Sequence, residues 1–155
     1  MLEEIKLAGW EHYEVSNFCK EGNYSKHNTA YWQNVKYLGI GPSAHSFDGK
    51  SRHWNVRSNK EYILKIQAGD SVSESEELRT KDLVNEALLT GLRTKWGVNL
   101  AEVKELYKYD LAATNQNQIL EWQQKDWLEM KDGILRLRAD GFLFADYIAS
   151  ELFVL

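Results

Sequence analysis

The chain has 155 residues and a formal net charge of −4; hydrophobic residues make up 43%, charged residues 27% and aromatic residues 12%, including six Trp and eight Tyr. This globular profile leaves room for one domain or two small ones. It argues against a disordered chain and a broad basic nucleic-acid-binding face, and no stretch approaches the roughly 18 apolar residues of a membrane span. The one cysteine, Cys19, excludes an intrachain disulfide and any cysteine-only metal or iron–sulfur site built from this chain alone. A reducing, cytoplasmic setting fits, and the acidic start of the sequence lacks the pattern of a signal peptide.

The first eight residues read as the end of an amphipathic helix, with Leu2, Ile5 and Ala8 on one face and Gly9 as its stop. Trp10 to Val15 predicts a short strand. Residues 16–26 read as a loop, in which Cys19 beside Lys20 is an inert thiol or, alternatively, a reactive one, and His27 to Gln33 as a single helical turn or a structured loop. Val35 to Ile40 is a second strand candidate running into Gly39-Ile40-Gly41-Pro42-Ser43-Ala44-His45-Ser46. Arg52 to Val56 pairs back as an edge strand. Asn59 to Ala68 predicts a helix ended by Gly69, with Tyr62, Ile63 and Ile66 on one side.

Asp70 to Glu77 is rich in Ser and Glu, and the domain boundary is placed there. Beyond it, Val84, Ala87, Leu88 and Leu92 give Leu78 to Thr94 a helical period. Asn99 caps a helix over Leu100 to Tyr107, with Glu102 at its third position. Asn115 or Asn117 caps Gln118 to Lys125. Trp127 to Met130 and Ile134 to Leu137 form a hairpin about Asp132-Gly133. A last helix runs from Asp140 to Leu152. The order helix–helix–helix–hairpin–helix is winged-helix-like. Its candidate recognition helix carries only Glu121 and Lys125 as charges, so a nucleic-acid partner is not expected.

Two constellations carry candidate chemistry. In His27-Asn28-Thr29-Ala30-Tyr31-Trp32, a helix puts His27 with Tyr31 and Asn28 with Trp32. A neutral imidazole there can ligate a metal or move a proton; the alternative is a structural cap whose aromatic rings fill the core. In Gly39 to Ser46, the glycines let the backbone approach a ligand or another element. Free backbone N–H groups and the hydroxyls of Ser43 and Ser46 suit a polar ligand, and His45 suits a flat ring; the alternative is a tight turn. His12 and His53 read as structural or exposed. No zinc-binding histidine pattern, Walker loop or Ser-His-Asp order is present, so no catalytic or metal-ligating residue is assigned.

His27-Asn28-x-x-Tyr31-Trp32 followed by Tyr37-Leu38-Gly39-Ile40-Gly41-x-x-Ala44-His45-Ser46 resembles the radical S-adenosylmethionine family of oxygen-independent coproporphyrinogen III oxidase and the haem chaperone HemW. Tyr13-Glu14-Val15-Ser16-Asn17-Phe18 and Leu92-Arg93-Thr94-x-x-Gly97-Val98 are similar to further segments of that family, so the resemblance spans nearly the whole chain. The first motif points to the HemW branch. The resemblance implies an α+β fold: residues 1–70 as the C-terminal remnant of a partial radical S-adenosylmethionine α/β barrel, and 75–155 as a mostly helical, winged-helix-like HemN-type C-terminal domain.

It further implies that Gly39, Gly41, Ser43, Ala44, His45 and Ser46 line a S-adenosylmethionine pocket. By the same resemblance, His27, Asn28, Tyr31 and Trp32 handle haem or another tetrapyrrole. The family's 4Fe–4S cluster needs a Cys-x-x-x-Cys-x-x-Cys triplet that this sequence lacks, so the chain alone is expected to be inactive in radical chemistry. It reads as a C-terminal fragment with Met1 inside a barrel helix, partnered by a missing N-terminal half. Its uncovered strand edge over residues 10–56 is expected to be less ordered than 78–152 or to be covered by a second copy, giving a homo-oligomer. The alternative is a stand-alone haem-binding carrier with His27 as axial ligand. One departure is Leu137-Arg138-Ala139-Asp140-Gly141, where Asp140 is expected to cap in place of the family's Thr.

Overall fold

A computed structural model describes residues 2–155, with side chains from Glu4 onward. Met1, and the side chain of Leu2 expected to share a face with Ile5 and Ala8, lie outside the described residues. Helix α1 (Leu2–Leu7) stops where the Gly9 N–H donates to the Lys6 carbonyl at 3.0 Å. It leads into an antiparallel hairpin of β1 (Trp10–Glu14) and β2 (Asn17–Lys20). The loop expected over 16–26 therefore contains a strand. Only Cys19 is buried in β2, so its four residues carry no alternation. The hairpin is held instead by register and by the His12 ring stacked on Phe18 at 4.4 Å. Helix α2 (Lys26–Trp32) follows, capped by the Ser25 hydroxyl, which accepts from the Asn28 N–H.

Next come β3 (His45–Phe47), β4 (Ser51–Asn55), α3 (Asn59–Ala68) and β5 (Ser73–Glu77). The three strands form an antiparallel sheet in the order β3-β4-β5. This corrects three expectations. Residues 35–40 form no strand; Tyr37 makes an isolated bridge to Phe47, and Leu38 and Ile40 stay exposed. The strand expected at an edge, β4, is central. Part of the expected break at 70–77 is β5, whose five residues are all exposed. Backbone pairing makes β5 a strand, with Glu76 opposite Arg52 and Glu74 opposite Trp54, and apolar periodicity cannot reveal a strand that buries nothing. Helix α3 matches the predicted span. The Ser58 hydroxyl caps it by accepting from the Glu61 N–H, and Gly69 closes it at φ +76°.

The remainder is mostly helical: α4 (Thr80–Leu92), β6 (Val98–Asn99), α5 (Leu100–Tyr107), α6 (Leu111–Thr114), α7 (Gln116–Gln124), β7 (Leu128–Lys131), β8 (Ile134–Leu137), a 3-10 helix (Ala139–Phe144) and α8 (Ala145–Glu151). Val84, Leu88 and Leu92 recur every four residues on α4 and pack with Leu135, Ile148 and Leu152 in one buried core. Each such side chain contributes about 1.5–3 kcal/mol. Asn99 caps α5 as predicted, accepting from the Ala101 and Glu102 N–H groups. The β7–β8 turn has φ +52° at Asp132 and +76° at Gly133, the two positive values of a type I′ hairpin. Strand β6 adds a short third strand on the far side of β8.

The cap expected of Asp140 is not made. Arg138 occupies the N-cap of the 3-10 helix without a side-chain hydrogen bond. Instead, the Arg138 N–H donates to the Trp127 carbonyl at 2.9 Å, anchoring the chain there through backbone.

The fold is mixed α and β, and every strand pairing among the described residues is antiparallel. By contacts the chain divides into two compact units: residues 1–33 together with 80–155, and residues 34–79. No helix among the described residues is long and apolar enough to cross a membrane.

Candidate functional site

The first candidate element is α2. It buries none of its residues. His27 and Tyr31 are exposed on one side, with ring centroids 4.9 Å apart and the rings edge-on at 87°. Neither His27 ring nitrogen has a hydrogen-bond partner among the described residues, so both remain available to an external ligand. Trp32 faces another way: its ring lies under the guanidinium of Arg93, with 5.4 Å from guanidinium carbon to ring centroid. Asn28 is half-buried and its backbone N–H completes the Ser25 cap. The structure thus separates His27 and Tyr31 from Trp32, onto the two faces that helical spacing gives this segment.

The second candidate is the 39–46 segment. The backbone approach required of Gly39 is to protein: a Cβ there would sit 2.1 Å from the carbonyl oxygen of His45. The N–H groups that suited a ligand are engaged internally. Gly39 N–H donates to Ser46 Oγ at 2.9 Å and Gly41 N–H to Tyr62 Oη at 3.3 Å. Ser43 N–H donates to the Val56 carbonyl and Ala44 N–H to the Gly41 carbonyl. The side chain of Asn55, buried at 8% exposure, completes the segment by donating from Nδ2 to the carbonyls of Gly41 (2.9 Å) and Gly39 (3.4 Å). Ser43, at φ +59°, and His45 remain exposed.

Beside this segment lies a cavity of about 410 Å³ whose lining includes Tyr37, Gly39, Ser46, Asp48, His53 and Tyr62. It takes in two of the six residues singled out in the segment; Gly41, Ser43, Ala44 and His45 do not line it. His53, read as structural or exposed, lines the cavity with its Nε2 3.4 Å from Asp48 Oδ2. N–H donors from Ser51 and Lys50, with the His53 contact, pull the Asp48 carboxyl down to about 2. Asn55, Asp48 and Tyr62 were missed by sequence reasoning. Only Asp48-Gly49, a turn dipeptide, offered a signal, and it pointed to a turn rather than to a cavity wall.

A third cluster joins β1 to the end of α4. Lys95 Nζ donates to Glu11 and Tyr24, and it lies 4.4 Å from the Tyr24 ring centroid and 5.6 Å from that of Trp96. The Lys95 hydrogen bond holds the Glu11 carboxyl below its usual range against desolvation. Burial alone would lower Lys95, but its bonds to Glu11 and Tyr24 outweigh that and raise it. His12 is packed between Phe18 and Phe142, and the Cys19 thiol is buried, so both are structural.

Residues 78–144 match the family model of the HemN C-terminal domain. The chain is HemW/HemN-like, corresponding to a C-terminal portion of such proteins. It is similar to the "Heme chaperone HemW" of Bacillus subtilis (strain 168), 30% identical over 149 residues, which is 96% of this chain and 39% of the relative. It is also similar to the "Radical S-adenosyl methionine domain-containing protein 1, mitochondrial" of Bos taurus, 29% identical over 164 residues, covering 96% of this chain and 36% of that protein. The chain therefore spans under two fifths of the length of these relatives. Among solved structures, coproporphyrinogen III oxidase (HemN) from Escherichia coli superposes with a TM-score of 0.70 at 13% identity, over 99% of this chain and 39% of that one. That likeness establishes the fold. Within this HemW/HemN-like chain, α4 through the 3-10 helix lie within the stretch that matches the HemN C-terminal domain, and both α2 and the 39–46 segment lie outside it.

The cluster expected of radical S-adenosylmethionine proteins does not fit residues 1–155 alone. Three thiolates are required and Cys19, buried, is the one thiol of the chain. Among the described residues, no group of three or more His, Cys, Asp or Glu side chains has the placement to hold a metal ion.

Proposed function

We propose that this chain is the haem-handling, C-terminal part of a HemW-type radical S-adenosylmethionine protein of haem or porphyrin metabolism. It works in the cytoplasm and is inactive in radical chemistry by itself. The observation that carries the reading is the outward face of α2: an exposed His27 imidazole, edge-on against Tyr31, with neither nitrogen partnered among the described residues. Such an imidazole is a ready axial ligand. The relatives named as haem chaperones support haem as the ligand class.

Residues 1–70 represent the end of the family's barrel in this reading, and residues 75–155 its HemN-type domain. The missing N-terminal half, or a second copy of the chain, is the partner that covers the open strand edge. The 39–46 segment offers S-adenosylmethionine the exposed ring of His45 and the hydroxyl of Ser43 rather than backbone donors, because those donors are engaged internally. A second reading, a stand-alone haem carrier, is favoured by the same exposed imidazole, since His27 needs no other part of a larger protein to bind.

The test is a titration of the full chain with ferric haem, followed by absorbance. A saturable Soret shift that is lost in His27→Ala is expected. No spectral change, or an identical shift in His27→Ala, would overturn the proposal.

A further inference from the structure

Three buried side-chain polar atoms make no hydrogen bond among the described residues: Thr29 Oγ1, Trp32 Nε1 and Arg93 Nε. Two of them lie on α2, and the third belongs to the side chain set over Trp32. Thr29 and Trp32 lie three positions apart on α2 and share a face. Arg93, at the end of α4, stacks its guanidinium over the Trp32 ring. At 3.6 residues per turn, this face points about 150° away from the one that carries His27 and Tyr31. The deficit is therefore separate from the proposed axial-ligand face.

The deficit also has one chemical sign. Indole Nε1–H and guanidinium Nε–H only donate, and the threonine hydroxyl can donate as well. The missing partner is an acceptor, and beside a guanidinium an anionic acceptor binds more strongly than a neutral one. The planar fork of arginine matches a carboxylate. A carboxylate already meets its outer nitrogen, since Asp146 Oδ1 accepts from Arg93 Nη1 at 2.6 Å. The Nε edge is left over. It is closed from water by α2, a seven-residue helix with no buried residue to hold it down.

From this geometry we infer that Arg93, Trp32 and Thr29 form a binding site for a ligand carboxylate, reached when α2 lifts from the end of α4. The site itself stands on the orphaned donors; only its natural occupant, a propionate of the tetrapyrrole, rests on the function proposed above.

Propionate ion, with propionamide as its uncharged counterpart, tests the site directly. The indole N–H resonance of Trp32, assigned by its disappearance in Trp32→Phe, is followed by ¹H–¹⁵N NMR on the full chain. A saturable downfield shift with propionate, no such shift with propionamide, and its loss in both Arg93→Gln and Arg93→Lys are expected. An unmoved Trp32 signal in the wild-type chain, or equal shifts from the two probes, would overturn the inference whether or not the variants fold.

The second arm compares haem with its dimethyl ester. Loss of a charge-assisted contact corresponds to about tenfold in affinity, so the wild-type chain should favour the diacid by about that factor. Arg93→Gln should abolish the preference without moving the Soret maximum. A propionate response without haem binding would leave the site standing and remove the proposed function. Haem binding through His27 without either carboxylate effect would do the reverse.

Discussion

Replacing Gly39 by alanine separates the two roles open to the Gly-x-Gly segment. The backbone of Gly39 is not in the left-handed region, so any penalty is steric. The added Cβ would lie 2.1, 2.8 and 2.9 Å from the carbonyl oxygen, carbonyl carbon and nitrogen of His45. None of these is the end of a flexible side chain, so β3 itself must move by about 1 Å or more to restore normal contact. Overpacking of this kind costs about 1–3 kcal/mol. The move also strains the Gly39 N–H bond to Ser46 Oγ and the Asn55 bond to the Gly39 carbonyl, each worth about 1 kcal/mol. The sum is about 3–5 kcal/mol, or at least a hundredfold in an opening equilibrium.

Hydrogen exchange reads this directly through the amides of Phe47 and Asn55, which donate to the Tyr37 and Ala44 carbonyls. Their protection should fall by about a hundredfold or more in Gly39→Ala. Gly41→Ala is the control. Its added Cβ meets nothing within 4 Å, but φ is +103°, so only a conformational penalty of about 1–2 kcal/mol is expected. Unchanged exchange in Gly39→Ala, or greater damage from Gly41→Ala, would refute the packing role and return Gly39 to a ligand.

His27→Ala should leave thermal stability within about 0.5 kcal/mol of wild type, because the ring is exposed and holds nothing but the Tyr31 edge; a large loss in a thermal melt would make His27 structural. Asn99→Ala removes the acceptor for two N–H groups of α5 and should lower stability by about 1 kcal/mol, measured by denaturant unfolding. Asp48 titrates at about 2 when folded against an ordinary value of 3.8. Its contribution is therefore complete above pH 3.8 and disappears as pH falls through 2. In Asp48→Asn, the acid limb of the stability profile should become shallower between those values, with the remainder left to Glu11 and Asp110, whose carboxyls are also held low.

Helices were legible from a cap, a glycine stop or an apolar period. The Asn99–Glu102 capping pair, the Asn59 to Ala68 period with its Gly69 stop, and the Val84-Leu88-Leu92 period each mark an element that the structure contains. The Asp132-Gly133 hairpin was legible because two consecutive positive φ values admit few residues. Strands β2 and β5 were not, since one buries a single side chain and the other buries none. Their existence depends on a partner strand, which is information at long range. The short α6 was missed for a related reason: its cap, Asp110, precedes only four residues, too few to show a period.

The candidate site divides along the same physical line. Residue types showed that His27, Tyr31, Trp32 and the 39–46 segment can bind something, but not what already satisfies them. Hydrogen-bond demand is settled only by the fold: Asn55, distant in sequence, takes up the carbonyls of Gly39 and Gly41, and Tyr62 takes the Gly41 N–H. By contrast, the Nε1–H of Trp32 and the Nε–H of Arg93 are left without acceptors among the described residues. A burial of polar atoms without partners costs about 1–3 kcal/mol per group. A helix that buries none of its own residues has little packing energy to offset that cost. The balance makes α2 an element that a ligand supplying the missing acceptor can shift.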